Sequence, residues 1–194
     1  NTTSMTRAAI GAALRGEGIA ADDDEVITAV TVTAAYLASK HPEARVYVLN
    51  AGDVREDLAG VQLVDSASDA DVVVLGGAGP QFGWEQLNDV FQALLDGARL
   101  VAMHRNLYWR TDEGFQLDTG SYLYAIEHGT GVHATVVGKP SSGFYDAALA
   151  TLDAKLKPGD VAMVGDDVET DVLAAQGQGM RGVLVRTGKF RPEA

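Results

Sequence analysis

Cysteine is absent from the 194 residues. Disulfides and thiolate metal sites are therefore excluded, and a reducing cytoplasm is the expected setting. Base is scarce: 15 Lys and Arg stand against 27 Asp and Glu, a net charge of −12, and no stretch gathers the bases into a patch. Nucleic acid and anionic membrane are excluded as general partners, so an anionic ligand has to be met by local groups. No apolar run approaches the ~20 residues that cross a bilayer, and no signal peptide is visible. Internal repeats and low-complexity tracts are missing too. Aromatic residues make up only 7%. Trp84, Tyr108 and Trp109 lack a basic surround, so they read as packing or interface residues and not as stacking platforms for bases.

What the chain does have is a hydrophobic content of 46%, enough for a buried core and distributed in short runs. Runs at 46–49, 72–75 and 100–103 each end in a polar or glycine turn, and residues 84–95 put Leu87, Val90, Phe91, Leu94 and Leu95 on one helical face. Strand, helix, strand at this spacing predicts parallel βαβ units. Ahead of them, Ser4 suits the N-cap of a helix carrying Met5, Ala9, Ile10, Ala13 and Leu14, ended by Gly16 and Gly18. The acidic run Asp22, Asp23, Asp24, Glu25 reads as the start of a second helix, favoured by the helix dipole. Residues 108–117 read as a hairpin with its turn at 112–114. The α/β pattern then resumes with a helix at 120–128, a strand at 134–137 and a helix capped by Ser141 or Ser142 that turns Phe144, Tyr145, Ala148, Leu149 and Leu152 inward. A strand at 161–164, a helix at 168–176 and a strand at 183–185 follow.

Chemistry concentrates at the end of the 161–164 strand, where Gly165 is followed by Asp166, Asp167 and, one helical turn on, Asp171. Hard carboxylate oxygens at an open strand end suit Mg²⁺, which keeps several waters and shares its remaining positions with phosphate. Asp167 also suits the N-cap of the helix from Val168, so an acidic strand-to-helix turn accounts for this stretch equally well. A second motif favours the site: Lys139, between Gly138 and Pro140, leaves a neighbouring strand on the same side, just ahead of a helix start, where phosphate is readily held. Other features carry less. The glycines at 76, 77 and 79 do not match a dinucleotide fingerprint, and Pro80 removes a donor. His104 and Arg105 read as a solvated pair at a strand end, and His41, His128 and His133 as surface residues. The stretch Asp118 to Ser121 reads as a hinge.

The ordered set Asn1-Thr2-Thr3, Gly138-Lys139-Pro140 and Gly165-Asp166-Asp167-Val168-Glu169-Thr170-Asp171, with the closing stretch 183–190, resembles the second to fourth motifs of haloacid dehalogenase (HAD) superfamily phosphatases. The resemblance covers nearly the whole chain and is similar to the branch whose cap is inserted between the second and third motifs. It implies an α/β fold with a Rossmann-like parallel-sheet core at about 1–20 and 118–194 and a smaller α/β cap at 21–117. It also implies Mg²⁺-dependent hydrolysis of a small phosphorylated substrate through an aspartyl-phosphate. In that scheme Asp166 binds Mg²⁺, Asp167 and Asp171 bind it or hold its waters, Lys139 neutralises the phosphoryl group, and Asn1 shapes the phosphate pocket. A homodimer through the cap is the expectation by family analogy. One departure stands out, because the family's nucleophilic Asp belongs to a D-x-D strand before the second motif. The expectation is that this strand lies upstream of Asn1; the alternative is a catalytically incomplete Mg²⁺- and phosphate-binding or structural protein of the same fold.

Overall fold

The computed structural model describes residues 2–111 and 113–188. They divide into two compact units at Gly138. In the first unit, β1 (Arg45–Leu49), β2 (Gln62–Val64), β3 (Val72–Leu75) and β4 (Arg99–Ala102) are followed by a hairpin of β5 (Tyr108–Thr111) and β6 (Gly114–Leu117), and then by β7 (Thr135–Val136). The hairpin is antiparallel and separate. The other five form one sheet in the order β2-β1-β3-β4-β7, every pairing parallel, with Val46 opposite Val72 and Val73 opposite Leu100. The segment 118–138 thus packs with this sheet through β7 and lies in the first unit.

A parallel sheet is covered on both faces, which is why its central strand is apolar at every position: Val72, Val73, Val74 and Leu75 are all buried. Val73, Leu75, Leu100 and Ala102 meet Val90 and Leu94 of α3 (Trp84–Leu95) and Leu123 and Ile126 of a helix at Thr119–Thr130. Val46, Val72, Val74, Val101 and Met103 pack on the opposite face with Val30 and Leu37 of a helix at Ala29–Lys40. In chain order the unit's helices are α1 (Arg7–Gly16), α2 (Ala29–Lys40), α3 and α4 (Thr119–Thr130).

Three local expectations are corrected. Thr6, not Ser4, caps α1, its hydroxyl accepting the Ala9 amide. The acidic run does not open α2. It forms its own 3-10 turn at Asp23–Glu25, with Asp23 and Asp24 paired to Arg15 and Arg7, while Thr28 caps α2 by accepting from the Thr31 amide. Of the two readings of Trp84, packing is the one corrected, since it is 77% exposed at the start of α3; Leu95 also lies outward.

The second unit holds α5 (Ser142–Ala150), β8 (Ala162–Gly165), α6 (Ala174–Gly177) and β9 (Arg181–Leu184), with β8 and β9 parallel. Its core gathers Tyr145, Ala175 and Met180, with Leu149 and Met163 packed against them. The helix expected at 168–176 opens instead as a π-helical turn, Val168–Leu173, and becomes α-helical only at α6. Within that turn the Val172 amide reaches back five residues to the Asp167 carbonyl. No helix among the described residues is long and apolar enough to cross a membrane.

Candidate active site

Lys139 opens the second unit, joined to Pro140 by a cis peptide bond, and its side chain is 16% exposed. A buried ammonium is costly unless paired. The partner is Asp171, 6% exposed, whose Oδ1 accepts from Lys139 Nζ at 2.6 Å. The other oxygen, Oδ2, accepts from the Asp167 amide at 3.2 Å. The π-helical turn brings Asp171 inward, so the residue closes its own turn and holds the lysine at once. The Phe144 ring lies 5.9 Å from Nζ and adds a favourable face to the cation. Tyr145 donates its hydroxyl hydrogen to the Thr170 carbonyl. Burial, and then the nearby Asp171 and Asp167 carboxylates, push its pKa up to about 12, so the hydroxyl stays a donor.

Asp166 and Asp167 follow β8 directly and are half-buried. Asp167 is an N-cap: its Oδ1 accepts the Glu169 and Thr170 amides at 3.1 and 3.0 Å. Two glycines keep the carboxylates in place. A Cβ on Gly165 would collide with the Asp171 carboxylate, and one on Gly188 would collide with Asp166 Oδ2. Gly188 also has φ of +55°, a conformation that side chains disfavour. Neither glycine contact nor the Tyr145 bond is signalled by the sequence, although Phe144 and Tyr145 do face inward as expected. Asn1 lies outside the described residues, as do Lys189 and Phe190 of the closing motif.

Among the described residues no three His, Cys, Asp or Glu side chains converge as a metal cage. Mg²⁺ does not require one, since one or two carboxylates suffice when water and phosphate complete its octahedron. The donor set of Asp166 and Asp167 fits that description. Asp171, with both oxygens already accepting hydrogen bonds, is committed to Lys139 and the turn.

The first unit builds a polar cluster at the carboxyl edge of its sheet that the sequence did not signal. Asn50 Oδ1 accepts the Gly77 amide and its Nδ2 donates to the Thr3 carbonyl, while Asp118 caps α4 and also accepts the Ala78 amide. His104 is no solvated residue: it is 2% exposed, with Nε2 3.9 Å from Asp118 Oδ1. Arg105 forms a two-pronged pair with buried Glu127 at 2.8 and 2.5 Å. Burial pushes Glu127 up, but the Arg105 guanidinium and the Ala134 amide more than reverse this and hold it below the usual carboxylate range.

Family comparison agrees with these motifs. A haloacid dehalogenase-like hydrolase model matches residues 1–64, and a HAD-hydrolase-like model matches 136–194. The chain is 36% identical over 191 residues to the haloacid dehalogenase-like hydrolase domain-containing protein 2 of Bos taurus, covering 98% of this chain and 71% of the relative. It belongs to the haloacid dehalogenase-like hydrolases. Within the HAD family it is also 36% identical over 194 residues to phospholysine phosphohistidine inorganic pyrophosphate phosphatase of Danio rerio, covering 99% of this chain and 69% of that one. The p-nitrophenyl phosphatase from Archaeoglobus fulgidus superposes with a TM-score of 0.89 at 30% identity, over 99% of this chain and 73% of the other. The glycerol phosphate phosphatase of Mycobacterium tuberculosis, in complex with magnesium, superposes at 0.80 with 29% identity, over 96% of this chain and 57% of that one. This HAD chain is thus a hydrolase with the family's α/β architecture.

Proposed function

We propose that this HAD chain acts in the Mg²⁺-dependent hydrolysis of small phosphorylated compounds. The observation that carries the reading is the buried Lys139–Asp171 pair set beside Asp166 and Asp167 at the end of β8. Lys139, held by Asp171 and backed by Phe144, is positioned to offset charge on a phosphoryl group without first having to be ordered. Asp166 and Asp167 would hold Mg²⁺, which when bound supplies charge neutralisation at the phosphoryl oxygens. Asp171 anchors Lys139 in this assignment, and the Gly165 and Gly188 backbones leave the carboxylates their space. The phosphatases named among the relatives, and the magnesium complex of one structural neighbour, support both the reaction and the metal.

Hydrolysis through an aspartyl-phosphate is the mechanism this reading carries, with the covalent step assigned to none of Lys139, Asp166, Asp167 or Asp171. The α/β cap expected at 21–117 selects the substrate in this reading, in a cytoplasmic setting and with a homodimer through that cap. The test is phosphate release from an aryl phosphate by the full-length protein. Activity should require Mg²⁺ and should fall steeply in both Lys139→Ala and Asp166→Ala. Undiminished turnover in either variant overturns the assignment, and absence of turnover in the wild-type protein favours a catalytically incomplete binding protein.

A further inference from the structure

At the amino edge of the five-stranded sheet, opposite the edge that carries Asn50 and Asp118, a cavity of about 220 Å³ opens between the end of α2, the start of β4 and the segment before β7. Its ionisable lining is unlike the rest of the protein. Two of the four histidines, His41 and His133, and Arg99 face it, together with Tyr36 and Thr135. No carboxylate lines it among the described residues, although the chain carries 27 of them. Arg99 has no ion-pair partner among the described residues, and burial, followed by the Arg99 guanidinium, lowers the pKa of the His41 imidazole. The floor is apolar, supplied by buried Leu100 and Val101 and by half-buried Val132. Arg99 and His133 are exposed and His41 is half-buried, so these donors are open to a ligand arriving from solvent.

We propose that this cavity is a binding site for a small tetrahedral oxyanion, phosphate or sulfate, held by Arg99, His41 and His133. Arg99 supplies a permanent charge and a planar set of donors. The imidazoles supply donors that become cationic as pH falls, and Thr135 supplies a hydroxyl. The carbonyl end of α2 opposes the anion with about half an elementary charge, which one full guanidinium charge outweighs. The charged groups facing the histidines are Arg99 from β4 against His41 and Glu127 from α4 against His133. Burial, and then Arg99, favour the neutral form of His41 in the absence of an anion.

The experiment is a sulfate titration of the full-length protein followed by the imidazole proton resonances, each histidine assigned by its single Gln variant. Sulfate keeps its charge across the range, so any pH dependence belongs to the protein. His41 and His133 should shift with saturation, and affinity should rise as pH falls below about 6.5, the ordinary imidazole value, because the His41 pKa lies under it. Arg99→Ala should weaken binding roughly tenfold or more, with Arg99→Lys recovering part of the loss. Lys139→Ala, which tests the phosphatase reading separately, should leave the His41 and His133 response unchanged. Repeating the titration with inorganic phosphate and with a phosphate monoester distinguishes a free anion from the phosphoryl group of a larger molecule. Resonances of His41 and His133 that do not move, or an Arg99→Ala protein that binds as the wild type does, overturn the proposal.

Discussion

Lys139 and Asp171 form a pair whose two members are expected to respond differently to mutation. Lys139→Ala removes the phosphoryl-facing charge and should lower kcat by ~10²-fold, the scale of losing one transition-state donor. Asp171→Asn leaves a buried ammonium without its counter-charge and should cost about 3 kcal/mol in urea unfolding. Adding Lys139→Met to Asp171→Asn should return most of that stability while activity stays lost. If the double variant is no more stable than Asp171→Asn, the pair is not the source of the cost. Gly188 makes a further residue-level case. Gly188→Ala forces a Cβ against Asp166 Oδ2 at φ of +55°, so it should lose roughly 1–2 kcal/mol and require more Mg²⁺ for half-maximal activity. A Mg²⁺ titration of activity reads the second effect independently of stability.

Among the elements, the π-helical turn after β8 depends on one cap. Asp167 Oδ1 takes two amides there, and Asp167→Ala should destabilise the protein by about 1 kcal/mol, as for other N-caps. Asp167→Asn should recover most of it, because the amide oxygen can still accept. The joint between β4 and α4 has a pH signature. Glu127 is held below the usual carboxylate range in the folded protein, so its contribution is fully present above about pH 4.3, its ordinary unfolded value. The contribution is lost as pH falls through the lower folded value. Wild-type protein should therefore exceed Glu127→Gln in stability at neutral pH, and the gap should narrow with acidification below that range. A gap constant with pH would assign Glu127 to packing alone.

Taken whole, the protein should behave as a metal-dependent hydrolase. Chelation should abolish phosphate release, and Mg²⁺ should restore it without refolding, since both units have apolar cores of their own. Loss of secondary structure on chelation would mean that the metal is structural. Much of this organisation was legible beforehand. The β3 strand stood out because burial on both faces makes it continuously apolar from Val72 to Leu75, and Lys139, Asp166 and Asp167 were picked out because each comes within three residues of the end of a short apolar run. What joins them was not legible: Asp171 meets Lys139 across 32 positions, and only the π-helical turn brings its carboxylate to the lysine. His104 was misjudged for a related reason, since its neighbour Asp118 arrives from the far side of the hairpin. The pairing of β7 with β4 was not legible either, because β7, only Thr135–Val136, is too short to announce which sheet it joins.

The uniform direction of the five strands has a kinetic consequence. None of them is joined to its sheet neighbour by a hairpin, so no pairing can begin as a local turn; each must wait for a loop or helix to be closed first. The β5–β6 hairpin can form within ~1–10 μs, whereas a sheet of non-local pairings matures far more slowly. During that interval the Val72 to Leu75 strand is bare, apolar and unpaired. Self-association of nascent or refolding chains through β3 is the expected hazard, and it ends only when both β1 and β4 have paired with that strand.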